Sequence, residues 1–279
     1  MASMFANLPN PGKMEEVQNA AKMVLGLDTF DGARFELNKG LNQNFAVTHN
    51  VSMGSAASPP SYEFGANVGD EKMLLASRID HSGRLTGRYQ HQLTPGVALR
   101  GMASVSGERS QDSLQLDLDV KGSHNYSGLR YMSGGVLMAT YMQSLTPYLS
   151  MGSEFFYHHG RCITGLHGAL KYGTPERVFS AKAGSFGNVE MTYAHKVNEK
   201  VSFATEMQYY HSQVCSFGIG GEFRLRHATY KGLVTSDCTV SATLEEKVVP
   251  GIASFILSGQ INHKKKDYKF GFGLNLGAA

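Results

Sequence analysis

The sequence contains no tryptophan, only 8 prolines and only 3 cysteines in 279 residues. Cys162, Cys215 and Cys238 are odd in number and far apart, so they indicate no disulfide framework. Charged residues make up 18% of the chain, against a typical value of ~25%. With 42% hydrophobic residues, the chain is too apolar to be disordered. The formal net charge of +3 argues against a dedicated nucleic-acid binder, which concentrates basic residues.

Long hydrophobic segments are missing as well. The longest apolar stretch, residues 248–257, is interrupted by Pro250, Gly251 and Ser254. A membrane helix needs about 18 such residues, so we expect no membrane helix, whereas membrane β-barrels stay open. Residues 1–16 lack the basic region and the apolar core of a secretory signal, which predicts a compartment reached from the cytosol and reduced thiols.

Two periodicities divide the chain. In residues 1–30, apolar residues recur at three- and four-residue steps and end before Gly26, which predicts one amphipathic helix. In residues 31–277 the period is two, and it is cleanest in residues 114–120. Turn signals separate about nineteen strand candidates of roughly 8–11 residues, the length that a tilted strand needs to cross a bilayer. The apolar positions of the predicted helix are Met14, Val17, Ala21, Val24 and Leu25.

The alternation alone does not say which face of the strands is wet. A soluble sandwich buries its apolar faces, whereas a membrane barrel turns them to lipid and encloses the polar faces. Tyrosines near strand ends, such as Tyr62, Tyr141 and Tyr209, are typical of interface girdles. The long strands, short connections and small polar residues of the other face favour an all-β membrane protein, a transmembrane β-barrel. A soluble ligand-binding β protein remains the alternative.

Three segments resemble a known family. Residues 263–277 closely resemble the end of the central channel-forming subunit of the mitochondrial outer-membrane preprotein translocase, the TOM complex, and so do residues 139–154 and 35–42. The resemblance covers the barrel region and the helix, is nearest the plant and algal type, and lies within the mitochondrial porin superfamily. It implies a nineteen-stranded antiparallel meander whose first and last strands are parallel, with the N-terminal amphipathic helix inside the lumen.

The resemblance also implies a function and partners. The chain is expected to pass unfolded nuclear-encoded precursor proteins through the mitochondrial outer membrane. Expected partners are precursor polypeptides and their presequences, small single-helix TOM subunits, receptor subunits, membrane lipid and further copies of the barrel, but no nucleic acid. Many family members carry a long extension before the helix, so functions of that extension are not expected here. The alternative is a metabolite porin like the voltage-dependent anion channel, for which a more basic lumen is expected.

One motif of the last strand implies barrel insertion. Mitochondrial barrels resemble one another in a terminal pattern of a polar residue, a glycine and two hydrophobic residues, which Lys269, Gly271, Leu274 and Leu276 match here. Glycine lets the partner backbone approach closely, and the two leucines share one face of the strand. The alternative is any amphipathic edge strand, because the pattern is loose.

The polar face predicts a mixed and slightly acidic lumen. Asp117, Asp119 and Glu154 are the predicted acidic patch for basic presequences, with Glu206 and Glu222 behind them. In the alternative, these carboxylates pair with arginines of neighbouring strands and only keep the pore wet. The predicted opposing basic wall consists of Arg84, Arg88 and Arg100. The further carboxylates assigned to the lumen are Glu36, Glu63, Asp80, Glu190 and Glu245, and the further bases are Arg34, Arg78, Lys121, Arg224 and Lys269.

Signatures of catalysis are missing. The sequence has no phosphate loop, dinucleotide fingerprint or Gly-x-Ser-x-Gly elbow. His158 and His159 are adjacent and therefore point to opposite faces of a strand, and Cys162 and His167 have no matching pair nearby. We therefore expect no enzyme activity, no cofactor and no metal site.

Overall fold

The chain forms one closed β-barrel of 19 strands, described by a computed structural model for residues 8–54, 59–107, 112–211, 213–249 and 251–277. Each strand is antiparallel to the next in the chain, and β1 closes the barrel by pairing in parallel with β19, from Gly32 opposite Gly271 to Leu37 opposite Leu276. The strands are β1 Gly32–Asn42, β2 Phe45–Met53, β3 Ser61–Gly69, β4 Met73–Asp80, β5 Leu85–Thr94, β6 Val97–Val105, β7 Ser113–Lys121, β8 Asn125–Met132, β9 Val136–Ser144, β10 Leu149–His158, β11 Ile163–Gly173, β12 Arg177–Gly184, β13 Val189–Lys196, β14 Val201–Tyr210, β15 Gln213–Arg224, β16 Ala228–Thr235, β17 Thr239–Val249, β18 Ala253–Asn262 and β19 Asp267–Leu276.

Apolar side chains face outward. On β7, Leu116 and Leu118 are 43% and 37% exposed, whereas Asp117 and Asp119, which alternate with them, are buried on the inner face. Directly paired residues of neighbouring strands share a face, so the register carries this assignment around the barrel. The expected wet interior is therefore confirmed, and the soluble alternative with a dry apolar core is wrong.

The N-terminal segment contains one short helical stretch inside the barrel. A 3-10 turn, Met14–Gln18, leads directly into the helix α1, Asn19–Leu25. All five predicted apolar positions are buried, which confirms the predicted amphipathic face. The sequence pattern predicted an α-helix throughout, but the first turn is a tighter 3-10 turn, a common form at the N-terminus of a helix. A further 3-10 turn, His159–Arg161, follows β10.

The segment before β1 crosses the lumen. We call the end of the barrel where β1 begins the near rim and the opposite end the far rim. The side-chain amide of Asn10 donates to the carbonyls of Gly122, just after β7, and Asn125, the first residue of β8, at the far rim. Phe30 lies two residues before β1, and its N–H donates to Ser258 Oγ in the middle of β18 at 3.0 Å. Within the described residues, no helix is both long and apolar enough to span a membrane.

Candidate functional site

The inner surface of the barrel has two walls that differ in what covers them. The 3-10 turn packs on β9–β12, and α1 packs on β13–β16. Met14 lies against Met142 and Ala169, and Ala21 lies against Ala194 and Ala204. We call β7–β16 the covered wall, and β1–β6 with β17–β19 the open wall. The open wall therefore supplies most of the side chains that face the free part of the lumen.

Asp119, a predicted presequence contact, is already paired with bases of the same chain. Lys13 donates to its carboxylate at 3.0 Å, and a nitrogen of Arg100 lies 2.5 Å from the same oxygen. The Asp119 side chain is only 11% exposed. A carboxylate paired with two bases under a packed segment is a poor site for a passing cation.

Asp117 is occupied in the same way. Arg130 Nε donates to its carboxylate at 2.7 Å, and Arg130 also forms an ion pair with Glu15 at the start of the helical stretch. The charges therefore alternate between wall and segment, which fixes the segment in one position. We call this group the charge clamp, consisting of Lys13, Glu15, Arg100, Asp117, Asp119 and Arg130.

The other predicted acids lie on the covered wall too. Glu222 is buried, 3.0 Å from Arg224 and 3.9 Å from Lys231, so its charge is compensated. Glu154 lies 3.2 Å from His167 Nδ1 and lines a polar cavity of about 170 Å³ beneath Met14. Glu206 faces inward on β14 and is half-buried, with no ion pair within the described residues.

The three predicted bases are dispersed rather than grouped. Arg84 lies in the turn between β4 and β5, at the near rim, and not on a strand. Arg88 faces inward on β5, opposite Ala76 of β4. Arg100 belongs to the charge clamp. The structure therefore does not bring these residues together as one basic wall.

Sequence reasoning missed several inward-facing bases: Arg130 of β8, Lys171 of β11, Lys182 of β12 and Lys231 of β16. Their alternation with apolar or small neighbours was a usable signal, since Leu129 and Tyr131 flank Arg130. With these residues the inward-facing bases are at least as numerous as the acids. The expected slightly acidic lining is therefore wrong for the wall as a whole.

One row of carboxylates does face the free lumen. Glu36 of β1, Glu63 of β3 and Asp80 of β4 lie in register, with Asn50 of β2 between the first two. The side chains of Glu63 and Asp80 are 37% and 36% exposed. Glu63 accepts from the Asn50 amide at 3.2 Å and lies 3.8 Å from Arg78. We call Glu36, Glu63 and Asp80 the open acidic row.

Glu63 and Asp80 are directly opposite each other on adjacent strands. Two like charges in this position destabilise a sheet. The neighbours that offset this repulsion are exposed: Arg78 is 56% exposed, and His81, 2.6 Å from Asp80, is 54% exposed. A pair of acids on a wet wall, compensated only by exposed neighbours, is an arrangement that a basic ligand would stabilise.

The terminal-strand motif lies at the seam where the barrel closes. Lys269 and Gly271 face inward, and Leu274 and Leu276 face outward, where they pair with β1. Gly271 also leaves room for Phe30 of the inner segment. A Cβ at position 271 would lie 2.4 Å from the Phe30 carbonyl oxygen and 2.6 Å from the Phe30 ring.

Phe30 is held at this seam from three sides. Ser258 Oγ accepts from its N–H and donates to its carbonyl at 3.2 Å. The guanidinium of Arg34 lies 4.5 Å from the ring centroid, and Arg34 also pairs with Asp28 at 2.5 Å. This contact set, which we call the seam seat, ties the inner segment to β18, β19 and β1.

The histidine and cysteine positions form no metal centre in the described part of the chain. His158 and His159 lie at the near rim, and Cys162 lies in the same turn. No group of three or more histidine, cysteine, aspartate or glutamate side chains is close enough there to hold a metal ion.

The chain is similar to known porins. The family model described as eukaryotic porin matches residues 10–271. A probable mitochondrial import receptor subunit TOM40-2 of Arabidopsis thaliana is 37% identical over 97% of this chain and 92% of its own length. The mitochondrial import receptor subunit TOM40 homolog of Homo sapiens is 30% identical over 97% of this chain and 79% of its own. A substituted variant of the Rh. blastica porin has a TM-score of 0.54 over 85% of this chain and 96% of that chain, at 7% identity, which is a likeness of fold alone.

Proposed function

We propose that this chain, which belongs to the eukaryotic porin family and to the TOM40 family of mitochondrial import receptor subunits, forms the protein-conducting channel of the mitochondrial outer membrane. Unfolded precursor polypeptides pass along the open wall, beside the pinned inner segment. The function is transport and not catalysis. The observation that carries the proposal is a closed barrel with a hydrated open wall in a chain so similar to import receptor subunits.

Presequences bind weakly, by charge, during this passage. They are basic amphipathic helices that lack acids, so they need carboxylates that are accessible from the lumen. The open acidic row, Glu36, Glu63 and Asp80, meets this need, since Arg78 and His81, which pair with Glu63 and Asp80, are themselves exposed. Glu206, half-buried and without an ion pair in the described structure, contributes from the covered wall. Glu154 contributes less, because its side chain is only 14% exposed and lies 3.2 Å from His167. Asp117, Asp119 and Glu222 hold the structure together instead, because bases of the chain already neutralise them. Weak binding suits a conduit, which must release what it binds.

The outer face is the site of assembly. Its band of exposed apolar side chains contacts lipid, the small single-helix subunits and receptor subunits, and other copies of the barrel. The relatives are named as subunits, which supports a role inside a complex. The mass of the complex extracted from mitochondria in mild detergent tests this, and a single free barrel would contradict it.

The last strand carries the insertion signal. Lys269, Gly271, Leu274 and Leu276 form it, with the two leucines on the lipid side. Replacing Leu274 with aspartate together with Gly271→Glu should abolish insertion into mitochondria. Normal insertion of that double variant would contradict the assignment.

Planar-bilayer recording tests the channel function. A basic amphipathic peptide should cause transient blockades of the open channel, and a peptide with glutamine in place of every basic residue should block much less. Anion preference without blockade by the basic peptide would favour the metabolite porin. Absence of conductance from correctly refolded protein would exclude both kinds of channel.

A further inference from the structure

The open wall carries a second chemical feature besides its carboxylates, a series of inward-facing amide side chains. Gln90 lies opposite Leu74 and Arg100, and Asn67 lies opposite Ala46 and Ala76, so both follow the inner-face register. We call the series the amide track, consisting of Asn38, Asn67, Gln90, Gln92, Gln260 and Asn275.

These amides are largely unused by the fold. Asn38 donates to Asn275 at a long 3.4 Å. Within the described residues, the side chains of Asn67, Gln90 and Gln92 make no hydrogen bond, and neither does that of Gln260. Three other inward-facing amides do serve the fold: Asn50 donates to Glu63, Asn262 donates to Thr239 Oγ1, and Gln115 donates to Asp117 of the charge clamp.

The amide track extends along the barrel axis. Gln260 lies two residues from the near-rim end of β18, whereas Gln92 lies two residues from the far-rim end of β5. Small residues lie between the amides on the same inner face, including Gly65, Ala76 and Ala98. The amides therefore have room around them and reach into the lumen at several depths.

An amide side chain both donates and accepts hydrogen bonds and carries no charge. An extended polypeptide presents N–H and C=O groups at every residue, about 3.3 Å apart, whatever its side chains are. A helical peptide has already satisfied those groups internally. Amide side chains therefore favour extended backbone whatever the side-chain sequence of the passing polypeptide. Carboxylates and guanidinium groups instead favour polypeptides of the opposite charge.

We propose that the amide track binds the backbone of extended, uncharged polypeptide segments during their passage. The inference rests on the proposed channel function and adds a substrate class to it. The open acidic row acts on basic helical presequences, and the amide track acts on the extended segments that follow them. Both features share one wall, so a polypeptide meets them along the same path.

Single-channel recording of the full-length refolded protein tests this. The probe is a neutral, soluble, unstructured peptide rich in glycine and serine, and the variant combines Asn67→Ala, Gln90→Ala and Gln92→Ala. Each alanine removes a hydrogen bond of about 0.5 kcal/mol net strength, so the mean blockade time should fall by about tenfold. The blockade time of the basic helical peptide should stay within about twofold, because the open acidic row is intact.

Two matched controls separate binding from a change in pore width. The triple variant Gln43→Ala, Asn44→Ala and Gln208→Ala removes three amides outside the amide track and should keep the wild-type blockade time. The swap Asn67→Gln, Gln90→Asn and Gln92→Asn keeps the amide chemistry and should do the same. Polyethylene glycol of matched size has no N–H donor, and its blockades should be equal in all four proteins.

The outcomes are distinguishable. An unchanged blockade time in the alanine triple variant, with its conductance intact, would overturn the amide track and leave the channel function standing. An equal loss with polyethylene glycol would overturn it as well, because width alone would then explain the effect. Wild-type protein that conducts ions but is blocked by neither peptide would instead contradict the proposed function. Should the alanine triple variant fail to refold, the single variant Gln90→Ala is expected to shorten the blockade by about twofold.

Discussion

The covered and open walls follow the same alternating pattern, yet their carboxylates differ in burial and in how they are paired. On the covered wall, Asp117 and Asp119 are buried and paired with three bases, which are Arg130 of the same wall, Arg100 of the adjacent strand β6 and Lys13 of the inner segment. On the open wall, Glu63 and Asp80 face each other across adjacent strands and remain exposed. A carboxylate's position on the inner face is therefore not enough to make it a binding group. What decides its role is whether the segment that crosses the lumen has already used it.

The largest effect should come from removing the inner segment from the covered wall. Ala21 is 1% exposed and packs against Ala204, so Ala21→Glu would bury an unpaired charge, at a cost of several kcal/mol. The helix should leave the wall, and the single-channel conductance should rise or become noisy. Met23 is 70% exposed on the same helix, and Met23→Glu should leave docking intact. Protease protection of residues 8–30 in the refolded protein measures the difference. Equal protection in both variants would mean that the two walls do not differ as described.

A smaller effect should follow from breaking the charge clamp. Asp117→Asn with Asp119→Asn leaves Lys13 and Arg100 without their carboxylate partners and Arg130 with Glu15 alone, at a cost of about 2–3 kcal/mol after allowing for the hydrated lumen. The segment should lose protease protection, while blockade by a basic peptide should not weaken. Glu206→Gln, on the same wall but without an ion pair in the described structure, is the matched control and should change protection little. A weaker peptide blockade in the double variant would restore Asp117 and Asp119 as presequence contacts.

These contrasts show how far the sequence alone could reach. Alternation predicts the strands and which side chains face inward, because each strand has one apolar and one polar side. The alternating pattern could not predict the charge clamp, because Lys13 and Asp119 are 106 residues apart and meet only when the segment enters the lumen. Local pattern also fails where an aromatic side chain faces inward. Tyr126 of β8 lies under Met14 instead of toward lipid.

The seam between β1 and β19, inside the open wall, holds a second contact that the sequence did not indicate. The terminal-strand pattern explains Gly271 through insertion alone. In the structure the same glycine leaves the space that Phe30 fills. Phe30 lies near the start of the chain and Gly271 near its end. The pairing of β1 with β19 creates this contact, so no pattern within either segment could reveal it.

A third prediction tests that seam seat. Gly271→Ala would place a Cβ within 2.4 Å of the Phe30 carbonyl, so Phe30 must shift, and we expect a loss of about 1–2 kcal/mol in barrel stability. Gly259→Ala on β18 meets no atom within 4 Å and is the matched control. Thermal unfolding of protein refolded in detergent is the measurement, because no insertion machinery acts there. Equal stability of the two variants would leave the insertion signal as the sole role of Gly271.

The smallest effect, and the one of opposite sign, belongs to the open acidic row. Glu63→Gln with Asp80→Asn removes a like-charge pair between neighbouring strands, so the barrel should become more stable by about 0.2–1 kcal/mol. The same change should slow association of a basic peptide several-fold and weaken its dependence on salt, because accessible charge has been lost from the conduit. The matched control Glu246→Gln removes a carboxylate from the outer face of β17 and should alter neither quantity. Unfolding midpoints test the stability, and blockade frequencies at two salt concentrations test the peptide association.

If stability rises while peptide association stays unchanged, the exposed pair is only a structural defect, and the open wall is not the binding site for presequences. If stability falls, Glu63 and Asp80 are compensated by their neighbours, and the difference between the walls is smaller than their geometry indicates.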